Sequence, residues 1–305
     1  MDAIASPHPS GAPGDAPPVL TPPALIAVDY IPPPAAIAPL VTTLYHFRCD
    51  EPLIRDIQPA AIGNLCLFPH GSGEMHFADG RRDPNHAVGL MTPLSRATPI
   101  VVEGPFHAFG AALTPLGWAA LTGLHAGQHR DRLLPAASVL GPEIEALGNR
   151  LIAAYRTGSL TGRECALEIG GFIAARARPL PQRHVALIAA VGAWLGAAFN
   201  PEVGDLAGAA GYSPRQVQRL VERYFGLPPR ALARKYRALR AAALLAGPQL
   251  SLAEEAALAE AFFDQSHMIR EIVRFIGRTP ARLADKATPY LAEMIAPTNL
   301  RELEV

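Results

Sequence analysis

The sequence predicts an α+β protein of two domains: a small N-terminal β-barrel or sandwich followed by helices, then a C-terminal all-α domain. Three observations carry this. From about residue 25 to 118, apolar runs at 65–68, 75–77, 87–91, 100–102 and 106–113 are broken by Gly, Pro, Asn and Asp roughly every ten residues, as in all-β units. Beyond Gly117 the apolar period becomes helical. Pro179-Leu180-Pro181 then stops the first helices and marks a boundary before a wholly helical remainder. At roughly 150 residues per domain, 305 residues fit two.

In chain order, residues 1–24 carry seven prolines among the first 23 positions and too few apolar groups to offset ordering, so a disordered tail is expected. With neither a basic start nor an apolar stretch, this is no signal peptide. Residues 25–135 form the β domain. Ile144, Leu147, Leu151, Ile152 and Tyr155 predict a helix over 142–155, and a second helix runs from about 161 to 176. Their apolar stripes are expected to lie outside both cores, which makes 136–179 a linker and homodimer segment. Residues 182–289 are helical and 290–305 a tail.

Half of the residues are hydrophobic and 18% charged, with 27 basic and 27 acidic, which excludes a disordered chain and a uniformly basic coat protein. The charge is unevenly placed. Residues 181–289 hold 14 basic and 9 acidic side chains, the only part with a basic excess. The apolar run 185–199 is shorter than the roughly 18–20 residues a membrane span needs and predicts a buried helix. Cys49, Cys66 and Cys165 show no CxxC spacing, so neither a disulfide framework nor a thiolate zinc site is expected, in keeping with a reducing cytoplasm.

The helical part repeats. Arg219, Val221, Arg223, Gly226 and Pro229 recur 51 positions later as Arg270, Ile272, Arg274, Gly277 and Pro280. Each unit reads helix, tight turn, helix. In the first, Val203–Ala210 is followed by Gly211 for the turn, Ser213 for a cap and Pro214 for the first helical position. The next helix turns Val217, Leu220, Val221, Tyr224 and Phe225 inward and leaves Arg215, Gln216, Gln218, Arg219 and Arg223 outward. In the second, Asp264 caps a helix with Met268, Ile272, Phe275 and Ile276 inward and Gln265, Ser266, His267, Arg270 and Arg274 outward. Arg and Gln can bond guanine and adenine edges bidentately in a major groove wide enough for a helix. Pro229–Ala246 reads as one helix of about 27 Å between the units, set against a DNA repeat of about 34 Å.

Three stretches resemble the DNA-binding domain of the AraC/XylS family of bacterial transcription regulators. They are Val203-Gly-Asp-Leu-Ala-Gly-Ala-Ala-Gly-Tyr-Ser-Pro-Arg-Gln-Val-Gln-Arg-Leu220, Arg237-Ala-Leu-Arg-Ala-Ala-Ala-Leu-Leu245, and Phe262-Phe-Asp-Gln-Ser-His-Met-Ile-Arg270 with Gly277-Arg-Thr-Pro280. The resemblance implies two helix-turn-helix units joined by a linker helix, with Ser213, Arg215, Gln216 and Arg219, then Gln265, Ser266, His267 and Arg270, on DNA. It also implies a cupin-like N-terminal barrel that senses an effector or dimerises. Two positions depart from the family pattern. Ala261 stands where the second turn glycine is usual, predicting a strained turn if its φ is positive, and Pro228 stands where Ser or Thr is usual. Double-stranded DNA, a small-molecule effector and RNA polymerase are the expected partners of a cytoplasmic homodimer with no membrane attachment.

His70, Glu74, His76 and His107 fall within the β region, yet their spacing does not reproduce the HxH plus Glu pattern of enzymatic cupins. No metal, cofactor or catalytic residue is therefore expected; the alternative is a cupin-type metal-dependent enzyme fused to a DNA-binding domain. Ser72 lacks a G-x-S-x-G frame. Cys66, Trp118 and Trp194 read as core.

Overall fold

A computed structural model describes residues 20–283 except 248. The expected tails therefore lie outside the described residues apart from positions 20–24. There the chain is already held: the Thr21 N–H donates to the Arg55 carbonyl, and Thr21 Oγ1 accepts from the Arg55 N–H at 2.8 Å.

Eight strands follow: β1 (Ile26–Ile31), β2 (Val41–Cys49), β3 (Leu53–Gln58), β4 (Asn64–His76), β5 (Arg82–Pro84), β6 (Val88–Met91), β7 (Thr98–Leu113) and β8 (Leu133–Pro135). They pair antiparallel in the order β1-β2-β7-β4-β6-β8, with β3 also on β7 and β5 on β4. The path does not return from β8 to β1, so the sheet is open where a closed cupin-like barrel was expected. Alternation gives it two apolar faces. Leu44, Leu65, Leu67, Phe109 and Ala111 point one way into the main core, while Tyr45, Cys66, Phe68 and Ala108 take the other side.

The helices are α1 (Pro115–Thr122), α2 (Ala137–Leu140), α3 (Pro142–Arg156), α4 (Gly162–Arg176), α5 (Gln182–Ala197), α6 (Val203–Ala210), α7 (Pro214–Phe225), α8 (Pro229–Ala246), α9 (Leu252–Ala261), α10 (Gln265–Ile276) and α11 (Pro280–Leu283). A capping box between Thr161 and Glu164 starts α4. Ile144, Leu151 and Ile152 of α3 and Cys165, Ile169 and Ile173 of α4 are buried in the same apolar cluster as the sheet's first face. The stripes expected to lie outside both cores are thus consumed within one chain, and that motive for a homodimer is corrected. Trp118 is fully buried and Trp194 nearly so. The cluster continues without a break through α5, α7, α8 and α10 to Leu283, so one core joins the two halves. No described helix is long and apolar enough to cross a membrane.

Candidate nucleic-acid interface

The first unit is built as its residues dictate. Gly211 takes φ +65°, in the left-handed region that glycine enters without steric cost, and α6 ends there. Ser213 then forms a capping box with Gln216, whose Oε1 accepts from the Ser213 backbone N–H at 3.1 Å. Arg215, Gln216, Gln218, Arg219 and Arg223 are all exposed, while Val217, Leu220, Val221, Tyr224 and Phe225 are buried.

The second unit reaches the same shape by other means. Ala261 is the last residue of α9, and the turn is made by extended Phe262 at φ −125°. Among the described residues Asp131 is the only non-glycine with positive φ, so the strain expected at Ala261 is absent. Asp264 caps α10 through the His267 N–H at 2.6 Å. Gln265, Ser266, Arg270 and Arg274 are exposed. His267 stands half-buried, its ring edge-on to Phe262 at 5.8 Å and its Nε2 3.4 Å from Glu271.

Glu271 occupies the repeat position of Leu220 and is equally buried, 2% exposed against 8%. Its oxygens accept from Arg234 Nε at 2.6 Å and Arg237 Nη2 at 2.6 Å, and Arg237 Nη1 goes on to Asn200 Oδ1 at 3.0 Å. Burial pushes the Glu271 carboxyl up, but the two guanidiniums outweigh it and hold the group below its ordinary value. This network fixes α10 onto α8. Sequence reasoning missed it, although a carboxylate on the inward stripe of α10 was a visible sign that buried cations face it.

The N-terminal half grips both recognition helices at their far ends. The last four carbonyls of a helix lack partners within it. On α7, Glu222 and Arg223 accept from the Gly127 and Ala126 N–H groups; on α10, Arg274 and Phe275 accept from Ala97 and Ala60. Just beyond α10, Arg278 is 4% exposed, pairs with buried Asp56 and donates to the Ile57 carbonyl at 3.0 Å. Over the first two turns of α7 and α10, Arg215, Gln265 and Arg270 stay uncovered, while Arg219, also exposed, borders with Arg223 a cleft between α7, α1 and α5.

The β-domain histidines are placed differently from a cupin centre. Glu74 Oε1 bonds His76 at 2.6 Å, and Arg82 shares that oxygen. His46, His70 and His107 instead surround Tyr155 of α3 on the sheet face beneath that helix, with the Tyr155 hydroxyl 2.9 Å from His46 Nε2 and 2.7 Å from His107 Nδ1. Burial there lowers the His46 pKa to about 4. Among the described residues no group of three His, Cys, Asp or Glu side chains is arranged to hold a metal.

A family model described as a helix-turn-helix domain matches residues 206–286, spanning both units. No curated protein matches the chain. Among solved structures, ToxT from Vibrio cholerae O395 is 9% identical at a TM-score of 0.44, covering 88% of this chain and 97% of that one. Wild-type ToxT from Vibrio cholerae strain SCE256, bound to unsaturated fatty acid, is 10% identical at 0.43, covering 88% and 94%. The AraC-like transcriptional activator CuxR is 16% identical at 0.31, covering 72% and 87%. Scores below 0.5 do not establish a common fold over the whole chain. The domain match falls on the segment whose capped, repeated helices were just described. Residues 206–286 are an AraC-type helix-turn-helix domain, and the protein that carries it is a DNA-binding transcription regulator.

Proposed function

We propose that this regulator lays α7 and α10 into successive major grooves on one face of double-stranded DNA, while its N-terminal half binds a small-molecule effector. The observation that carries the reading is the shared pose of the two helices: exposed Arg and Gln at their starts, carbonyls held by the N-terminal half at their ends. Ser213, Arg215, Gln216, Gln218, Arg219 and Arg223 serve the first groove, and Gln265, Ser266, His267, Arg270 and Arg274 the second. The 18 residues of α8 separate the units by roughly 27 Å, comparable to the DNA repeat of about 34 Å.

The open sheet curls around a cavity in the manner of a cupin-like sensor and performs no catalysis. A cytoplasmic homodimer acting with RNA polymerase completes the reading, with the outward faces of α3 and α4 in the dimer contact; Leu167 is exposed on α4.

Binding-site selection tests this with the full chain and its Arg219→Ala and Arg270→Ala variants. Each variant is expected to lose about 1–3 kcal/mol and to blur its own base cluster, the two clusters lying about 10 base pairs apart. Since Ala261 is unstrained, the two losses are expected to be similar in size. Blurring of one shared cluster, or uniform weakening with no blurring, would mean that these arginines only anchor phosphates.

A further inference from the structure

The second face of the sheet, turned away from α3 and α4, forms the floor of a cavity of about 250 Å³ that is partly open to solvent. Its size lies between the roughly 150 Å³ that takes up benzene and the roughly 300–1,000 Å³ of drug-sized sites, which points to a molecule of one substituted ring. The wall is aromatic and sulfur-rich. Phe47 and Phe68 pack against Phe106 at 5.8 and 5.4 Å between ring centres, and Cys66, Met75 and Met91 add sulfur to the lining. Such walls favour ring edges and polarizable apolar groups.

Charge then narrows the class. No Lys, Arg or His lines the cavity, so a carboxylate drawn into it would lose water without gaining a cation, which disfavours an anionic guest. The two acids in the wall are committed elsewhere, Asp56 to Arg278 and Glu74 to His76 and Arg82, so a cationic guest would have to break an existing pair. The wall also carries uncharged polar side chains, Tyr45, Gln58 and Asn85 among them, and of its lining residues Asn64 alone buries a polar side-chain atom without a hydrogen-bond partner among the described residues. Asn64 sits between β6 and β7 and is 7% exposed, and the buried atom is its Oδ1. A buried acceptor of this kind asks for an N–H or O–H donor.

We propose that the cavity binds an uncharged single-ring aromatic molecule that presents a hydroxyl or amino donor to Asn64 and carries no carboxylate. This rests on the reading of the N-terminal half as the effector-binding part and specifies what it binds. Part of the wall, at Asp56, Ile57 and Ala60, also holds Arg278 and the end of α10, and Leu239 of α8 closes one side, so the guest touches the frame of the second unit.

The test is calorimetric titration of the full chain with three probes of one shape, p-cresol, toluene and p-toluate, with DNA binding measured on the same sample. The order expected is p-cresol at one site per chain, toluene at least about fivefold weaker, and p-toluate not bound. Asn64→Leu should bring p-cresol down to the toluene level and leave toluene unchanged; if that variant does not fold, the wild-type order alone decides. Equal or tighter binding of p-toluate or toluene overturns the proposal. Binding of none of the probes by protein that still binds DNA overturns it without touching the regulator reading, whereas loss of DNA binding by the folded wild-type chain overturns that reading itself.

Discussion

The two helix-turn-helix units differ in what locks them, although both end their recognition helices on a left-handed glycine, Gly226 at φ +80° and Gly277 at φ +83°. In the first unit the turn depends on Gly211 and the helix is held by apolar packing of Leu220. In the second, an extended Phe262 replaces the glycine, and Glu271 stands in the place of Leu220 with two arginines around it. Duplicated helices can thus keep one external geometry while their interiors diverge from apolar to ionic. Removing one partner of a buried ion pair leaves an unpaired buried charge, whereas an apolar contact is lost by increments.

The largest expected difference between the units lies in the grip on the second. Arg278→Ala leaves the Asp56 carboxylate buried and frees the Ile57 carbonyl, with an expected loss of about 3–5 kcal/mol in chemical denaturation. The side-chain hold on the first unit is weaker: Arg130 pairs with Glu222 at 3.8 Å on the rim and donates a long bond of 3.5 Å to the Gly226 carbonyl, so Arg130→Ala is expected to cost about 1 kcal/mol. Denaturation curves that rank these two the other way would show that the second unit is not the ionically clamped one. Next come the paired positions themselves. Glu271→Ala is expected to cost about 2–4 kcal/mol, somewhat below the usual figure because Arg234 is half-exposed and keeps its water. Leu220→Ala should cost a similar 2–4 kcal/mol but show no dependence on salt.

The turns sharpen the contrast further. Gly211→Ala forces a Cβ into the left-handed region at an expected cost of about 1–2 kcal/mol, with open space around it so that no clash adds to the figure. Ala261→Gly, the change that would restore the glycine usual in the family, is expected to destabilise by about 0.5–1 kcal/mol, because Ala261 is helical and buried. Stabilisation by Ala261→Gly, read as a raised Tm, would show that the second turn is strained after all.

How much of this was legible follows from the kind of signal each part leaves. Caps, turns and stripes are local, so α6, α7, α8 and α10 could be read from Gly211, Ser213-Pro214, Pro229 and Asp264 at nearly their observed bounds. The outward Arg and Gln residues followed from the same period. Pairings between distant segments leave no such trace. Nothing around Asp56 indicates Arg278, 222 positions away, and nothing around Ala60 indicates the end of α10. The apolar stripes of α3 and α4 were legible, but their partner, one face of a sheet assembled from β2, β4 and β7, was not. Likewise Asn64 and Phe106 come to one cavity only through the register of β4 on β7.

Acid offers the finest test, because the ionic lock is present in one unit alone. The Glu271 carboxyl titrates below its ordinary 4.5 when folded, so its contribution is whole above about 4.5 and is lost as pH falls through its lower folded value. A second acid-sensitive group, His46, has its pKa lowered from 6.5 to about 4 by burial, with Arg48 and His107 adding to this and Asp29 opposing it. The unfolded chain binds that proton more readily, so the His46 contribution is lost between about pH 6.5 and 4. His46 lies under α3 at Tyr155, away from both recognition helices, and its protonation weakens the shared core without favouring either unit. Two further histidines bear on α7 alone: His184 bonds the Tyr224 hydroxyl at 2.7 Å and His125 lies beside Arg223 and Glu222, and burial lowers the pKa of both. From pH 6.5 to about 5, amide exchange should therefore show α7 losing protection faster than α10. Below about 4.5 the trend should turn, α10 gaining about 1 kcal/mol of opening relative to α7, roughly fivefold in exchange rate. In Glu271→Gln that turn toward α10 below 4.5 should vanish, while the earlier drift from the α7 histidines stays. A ratio that already drifts toward α10 opening at pH 6, or one that turns that way below 4.5 in Glu271→Gln as well, would place the acid-sensitive lock of α10 somewhere other than Glu271.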